Sequence, residues 1–202
     1  MEALPIPDME AELGTLVAQT PPGRVTTYGT LANALGSPIA ARWIGQVLFR
    51  RRNDEGWPCH RVVKVDGRLG LDLATGGSWQ RRRLEAEGVE VRGGAVELER
   101  YRFDAFEGPR PLARLTQLQE ELAGRVSLRG PRRLPEVIAG VDVSYPTPTE
   151  GVAAYALVET ATGRLVWSTA VRRPAPFPYL TSYLTFRELP LHLALLEEVR
   201  AA

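Results

Sequence analysis

Cys59 is the only cysteine in a chain of 202 residues, and it stands in the segment Trp57-Pro58-Cys59-His60-Arg61-Val62. A thiolate is a strong, soft nucleophile, and histidine is the side chain whose ordinary pKa suits it to take a proton near neutral pH. Between Pro21 and Arg83 eleven basic residues face four acidic ones, a local net +7 in a chain whose formal net charge is only +1. The combination points to a nucleophile held near an anionic polymer, and so to chemistry on nucleic acid. The competing reading of a lone cysteine is a small buried hydrophobe. Lys64 is the only lysine among 25 basic residues. Arginine suits bidentate phosphate contacts, but a GC-rich genome or heat adaptation accounts for the bias equally well.

The same counts exclude other classes. One cysteine forbids an internal disulfide, and with only His60 and His192 beside it the chain has too few ligands for a Cys/His zinc site. No apolar run approaches the length of a membrane span, and Met1 to Glu12 is acidic where a signal peptide would be basic. A cytoplasmic protein is expected, in a compartment that keeps Cys59 reduced. A hydrophobic content of 44% is normal for a soluble globular protein, and 202 residues allow one ordinary domain or two small ones; two small domains, in an α/β protein overall, are the expectation.

Local signals predict the elements that must position Cys59. Residues 9–19 have a helical apolar spacing that stops at Pro21-Pro22-Gly23. Thr27 is placed to cap a helix over 28–35 closed by Gly36, and Ser37-Pro38 opens a third over 39–52. Two helices around a tight turn have helix-turn-helix spacing. Arg42, Arg50, Arg51 and Arg52 make the third helix the one to face phosphate, unless they are only a solvated basic helix end. Beyond Cys59, residues 61–65 and 68–73 alternate as a hairpin around Asp66-Gly67, 80–87 reads as a helix ending at Gly88, and 89–91 with 95–98 forms a second hairpin. Residues 100–103 close the unit. Residues 1–106 are taken as the first domain, 107–111 as a Gly/Pro linker and 112–202 as the second domain.

Residues 9–103 resemble the DNA-binding and alkyl-accepting domain of the O6-alkylguanine-DNA alkyltransferase family. The resemblance rests on Pro22-Gly23-Arg24-Val25-Thr26-Thr27-Tyr28-Gly29, Ala40-Ala41-Arg42-Trp43-Ile44-Gly45, Pro58-Cys59-His60-Arg61-Val62-Val63 and Leu84-Glu85-Ala86-Glu87-Gly88, in that order. It implies a winged-helix-like helix-turn-helix that enters the minor groove of duplex DNA and flips the damaged base into a pocket. Tyr28 would help rotate the nucleotide and Arg42 would fill the vacated stack, with Thr27, Ala40 and Arg61 completing the DNA-contacting set. Cys59 would attack the alkyl carbon of O6-alkylguanine, with His60, oriented by Glu87, as the base. Side chains of adjacent residues diverge, so a water is expected to bridge Cys59 and His60. A thioether has no easy leaving group, so each molecule acts once, as a methylated-DNA-protein-cysteine S-methyltransferase needing no cofactor.

The frame is nevertheless mixed. Asn53 lies only six residues ahead of Cys59, and Leu69-Gly70-Leu71-Asp72-Leu73-Ala74-Thr75-Gly76-Gly77 replaces an Asn-Tyr-Ser-Gly-Gly type of pocket segment. Trp57-Pro58, the stretch 84–91 and the ending 98–103 are instead similar to alkyltransferase-like proteins. Those bind alkylated DNA and signal to excision-repair proteins, with tryptophan or alanine in place of the cysteine. A non-catalytic sensor of damaged bases is therefore the alternative. A transcription regulator, a third class, would leave the Cys-His-Glu set without a use.

In the second half, residues 112–126 read as a helix, 137–144, 152–159 and 165–171 as three strands opening an antiparallel part of a mixed sheet, and 187–202 as a final helix. Asp142 interrupts an apolar strand, which makes it a candidate Mg²⁺ ligand or else an acid at a solvent-facing strand end. Residues 112 to about 199 resemble the N-terminal part of endonuclease V, which cuts near deaminated bases, through Ile138-Ala139-Gly140-Val141-Asp142-Val143-Ser144-Tyr145, Phe177-Pro178-Tyr179-Leu180 and Leu184-Thr185-Phe186-Arg187-Glu188. The resemblance implies a partial ribonuclease H-like fold with Asp142 and Glu188 as metal ligands and Tyr179 and Leu180 in the wedge that parts the duplex. Thr181 stands where that wedge has its second proline. The family continues with a further aspartate, a histidine and a lysine beyond the position of Ala202, and His192 on the last helix is not expected to substitute. No nuclease activity is expected from these residues alone. An exposed sheet edge and apolar face are expected to favour association. The second half is then either part of a longer nuclease fusion or a DNA-binding or dimerising appendage.

Overall fold

The computed structural model describes residues 6–70, 78–130 and 133–202. The chain divides into two compact units, the first Pro7–Leu118 and the second Gln119–Ala202. Among the described residues no helix is long and apolar enough to cross a membrane.

Helix α1, Met9–Ala18, starts where the Asp8 carboxylate accepts from the amides of Glu10 and Ala11, both at 3.1 Å, and it buries Met9, Leu13, Leu16 and Val17. Strand β1, Thr26–Thr27, runs directly into α2, Tyr28–Leu35, whose N-cap is Thr27: its Oγ1 accepts from the Thr30 amide at 3.1 Å. A short 3-10 turn, Pro38–Ala40, leads into α3, Ala41–Arg51, which buries Trp43, Ile44, Val47 and Leu48 along one stripe.

Gly36 ends α2 with φ of 100°, a left-handed conformation that costs a residue with Cβ about 1–2 kcal/mol. A Cβ there would also lie 2.5 Å from the Ala113 amide nitrogen of α6, Pro111–Ala123. Gly36→Ala is accordingly expected to destabilise the first unit by at least that amount. Urea titration reads the effect as a lower midpoint, and an unchanged midpoint would contradict it.

After Cys59 the chain departs from the expected hairpin. Asp66-Gly67 does turn, with Gly67 N–H donating to Lys64 O and Lys64 N–H to Arg68 O, each at 2.9 Å. The strand β2, however, is only Val62–Val63, and it pairs in parallel with β1, Thr26 opposite Val62 and Thr27 opposite Val63. Both valines are fully buried, the environment of a parallel pair, and this non-local pairing outweighs the local turn. Arg68 forms an isolated bridge to Ala95, and residues 71–73 lie outside the described residues. Helix α4, Ser78–Ala86, follows, then β3, Val91–Arg92, antiparallel to β4, Ala95–Val96, and α5, Leu98–Tyr101. Val25, Val63, Leu84, Val89, Val96 and Tyr101 form the core beneath.

The units part within α6 and not at residues 107–111. Gly and Pro do mark a loop there, but Leu112 and Leu115 just beyond are buried, so the first turns of α6 belong to the first unit. In the second unit β5, Val137–Thr147, β6, Glu150–Glu159, and β7, Leu165–Pro174, form an antiparallel sheet in the order β5-β6-β7. Helix α7, Leu184–Ala201, begins three residues before the expected start and buries Leu191 and Leu195 against Ala153 and Val171.

Candidate active site around Cys59

Cys59 opens a 3-10 turn, Cys59–Arg61, after Pro58, with its own amide donating to Trp57 O at 2.7 Å. Its side chain is fully buried, and burial, helped by the nearby Asp54 carboxylate, pushes the thiol up to about 12. Left to itself the thiol is therefore protonated, and it needs a base to become a nucleophile.

The next residue places an imidazole beside it in the chain. His60 is 6% exposed, and its Nε2 lies 2.9 Å from Oε1 of Glu87. Burial lowers the imidazole pKa, opposed by the bond to Glu87 and reinforced by Arg61 and Arg83. For Glu87 burial acts upward, but hydrogen bonds from Arg61, His60 and the Gly23 amide outweigh it and bring the carboxyl down to about 2. An ionised carboxylate only accepts, so the proton of neutral His60 sits on Nε2 and the lone pair on Nδ1. Nδ1 is buried and has no hydrogen-bond partner among the described residues.

Gln80, on α4, has no marked sequence signature yet holds this turn in place. It is fully buried, its Nε2 donates to the carbonyls of His60 at 3.0 Å and Val62 at 2.8 Å, and its Oε1 accepts from the Gly70 amide at 3.1 Å. A Cβ on Gly70 would lie 2.8 Å from the Tyr28 hydroxyl, so Tyr28 packs directly against that backbone. Burial and then the neighbouring Cys59 push the Tyr28 hydroxyl up to about 12, which keeps it a donor at neutral pH.

The remaining sequence-selected residues separate into three groups. Arg42, in the first turn of α3, is exposed; Thr27 and Ala40 are buried, one as the cap of α2 and the other at the entry to α3. Of the other α3 arginines, Arg50 and Arg51 hold Glu10 at 2.7 and 2.9 Å, Arg51 also holds Asp54 at 2.9 Å, and Arg52 lies over the Phe49 ring at 4.2 Å. That end of the helix is satisfied from within the protein. Arg61 is likewise no surface contact: its side chain is 14% exposed, its Nε lies 3.1 and 3.0 Å from the two oxygens of Glu87, its Nη2 donates to Oε1 at 2.7 Å, and its Nη1 donates to Thr20 O at 2.7 Å. Asn53, Trp57, His60, Arg61 and Arg83 border a cavity of about 570 Å³ beside the turn.

In the second unit Tyr179 is 68% exposed, but Leu180 is 2% exposed and anchors its loop, so a wedge there has one projecting residue and not two. Asp142 is exposed in β5 opposite Ala154, and Glu188 is partly buried in α7. Among the described residues no three histidine, cysteine, aspartate or glutamate side chains converge as metal ligands would. Asp142 and Glu188 are thus the two described carboxylates that the endonuclease V resemblance offers to a metal, and no cleavage step is assigned to them.

Residues 8–89 match the family described as 6-O-methylguanine DNA methyltransferase, DNA binding domain, and residues 120–202 match the Endonuclease V family. The chain is 36% identical over 183 residues to the bifunctional methyltransferase/endonuclease of Picrophilus torridus, which covers 91% of this chain and 59% of that protein. It is 48% identical over 92 residues to the DNA base-flipping protein of Escherichia coli, which covers 44% of this chain and 69% of that protein. A crystal structure of S. pombe Atl1 in complex with damaged DNA containing O6-carboxymethylguanine matches at 28% identity and a TM-score of 0.45, over 50% of this chain and 98% of that one. The chain spans less than two thirds of the length of the bifunctional relatives.

Proposed function

The chain belongs to the 6-O-methylguanine DNA methyltransferase family through its DNA-binding domain, with an endonuclease V segment beyond it, and from that premise we propose that Cys59 accepts the alkyl group of O6-alkylguanine in duplex DNA. The observation that carries the reading is the buried Nδ1 of His60, without a partner while Nε2 is engaged by an ionised carboxylate, next in sequence to a buried thiol. A water between the two takes the thiol proton and passes one to Nδ1. The sulfur then attacks the alkyl carbon, a C–S bond forms, the carbon–O6 bond breaks, and its electron pair stays on guanine. Guanine takes up the proton from the imidazolium, so the residues return to their starting state except for the thioether on Cys59. The electrons come from sulfur, and no cofactor is required for this transfer. Arg42 and Tyr28, on the helix-turn-helix formed by α2 and α3, are assigned to the duplex side, where the base must leave the stack.

A second reading is favoured by the identity to a base-flipping protein and by the complete burial of the thiol: a sensor that holds an alkylated base without transfer and recruits excision-repair proteins. The ribonuclease H-like second unit, with exposed Tyr179, is assigned to binding duplexes with damaged or deaminated bases. Incubation with duplex DNA carrying O6-methylguanine separates the readings. Intact mass is expected to rise by one methyl, mapped to Cys59 and absent in Cys59→Ala, and tight binding at unchanged mass would overturn transfer.

A further inference from the structure

Arg61 stands in the Cys-His-Arg segment, and the family resemblance places it in the DNA-contacting set. Its guanidinium is instead turned inward. It reaches both oxygens of Glu87 and ties the other edge of its fork to Thr20 O, the carbonyl of a residue with no exposure. Glu87 follows α4 and accepts five hydrogen bonds from four donors: three from Arg61, two of them from its Nε and one from its Nη2, one from His60 Nε2 and one from the Gly23 amide at 3.2 Å. A carboxylate held by one histidine alone can rotate, or share its proton with the ring. Clamped on both oxygens by a planar fork, it does neither.

We propose that Arg61 is a positioning residue of the nucleophile's base, which by gripping both oxygens of Glu87 fixes the His60 imidazole with its proton on Nε2 and its lone pair on Nδ1. The proposal rests on the alkyl-acceptor reading for its consequence, but not for its geometry. The charged and titratable groups around His60 are Cys59 and Arg61 on its own turn, Glu87 and Arg83 from the α4 side, and the Trp79 ring edge-on at 6.2 Å. Cys59 is in turn influenced by Asp54 and Arg51 from the end of α3 and lies beside Tyr28 of α2. Of these, Arg61 alone binds the carboxylate that orients the ring. Arg83 acts on His60 only through its charge.

Removing Arg61 takes away both the clamp and a positive charge that disfavours imidazolium. In the full chain, Arg61→Met is expected to slow methyl transfer from O6-methylguanine duplex by at least about tenfold, the scale of losing an orienting partner. The acid limb of its rate profile should move to higher pH. Arg61→Lys, which restores a point charge but not the fork, should recover the limb more fully than the rate. ¹⁵N spectra of the imidazole give a readout independent of transfer, and the chain has only two histidines, so a His192→Gln control assigns the signals. The wild type should show His60 as the Nε2–H tautomer, and Arg61→Met a mixture. If Arg61→Met keeps the wild-type tautomer and pH profile, Arg61 only supports the fold and the proposal fails. If the wild type gains no methyl on Cys59, the acceptor reading fails, and the ¹⁵N comparison still decides the role of Arg61.

Discussion

Glu87→Gln is expected to slow alkyl transfer by roughly 10²- to 10⁴-fold, the range for loss of an effective general base. The amide oxygen still accepts one bond, but it carries no charge to stabilise the imidazolium that forms when His60 takes the thiol proton. The same change leaves the Arg61 guanidinium, 14% exposed, without a counter-ion, which costs about 3 kcal/mol, the low end for a broken buried pair. The same contacts bring the carboxyl from its ordinary 4.5 down to about 2. Because the folded pKa is the lower one, that stability is present in full above pH ~4.5 and disappears as pH falls toward ~2. His60 acts in the same direction: burial lowers its pKa, so below its ordinary value the unfolded chain binds a proton that the folded chain resists. Urea midpoints measured from pH 7 to pH 2 should therefore start apart for wild type and Glu87→Gln and converge below pH 4. Parallel curves would show that Glu87 does not carry this charge-dependent stability.

Gln80→Leu is expected to lower the melting temperature of the first unit by more than about 10 °C. It strands the carbonyls of His60 and Val62 and the amide of Gly70, which this one side chain satisfies in a fully buried position. An unsatisfied buried group costs about 1–3 kcal/mol, so even with relaxation the three together reach about 3 kcal/mol or more, and each kcal/mol is worth roughly 4–8 °C in a domain of this size. Gln80→Glu should do no better, because it keeps the acceptor for Gly70 but sets a carboxylate oxygen against two carbonyls. Thermal unfolding followed by circular dichroism reads both. A Gln80→Leu protein that melts within a degree of wild type would reduce the residue to a space filler.

The parts of this site legible in the sequence are those governed by neighbours along the chain. Thr27 and Gly36 mark helix ends because caps act over three or four residues, and α1, α2 and α3 lie within two residues of expectation. Cys59 and His60 are adjacent, and Glu87 entered through a family motif. What escaped depends on partners far away in sequence. Val62 and Val63 read as half of a local hairpin, yet they pair 36 residues back, with Thr26 and Thr27. Gln80 lies in a helix followed directly by Arg81, Arg82 and Arg83, where a polar residue reads as surface. Arg50 and Arg51 read as facing phosphate and Arg61 entered the DNA-contacting set through the resemblance, and nothing near them in sequence shows their ion pairs with Glu10 and Glu87.

The two-residue parallel pairing of β1 with β2 has a mechanical consequence. Thr27 is the last residue of β1 and the cap of α2, so Tyr28 begins where the pairing ends; on the other strand Val62 follows the Cys59–Arg61 turn without a break. A displacement of α2 along its axis, as when a duplex pushes against it, is passed through this short splint to the sulfur with no loop to absorb it. On the proposed acceptor reading, contact at α2 and placement of the Cys59 turn are coupled through the paired residues Thr27 and Val63.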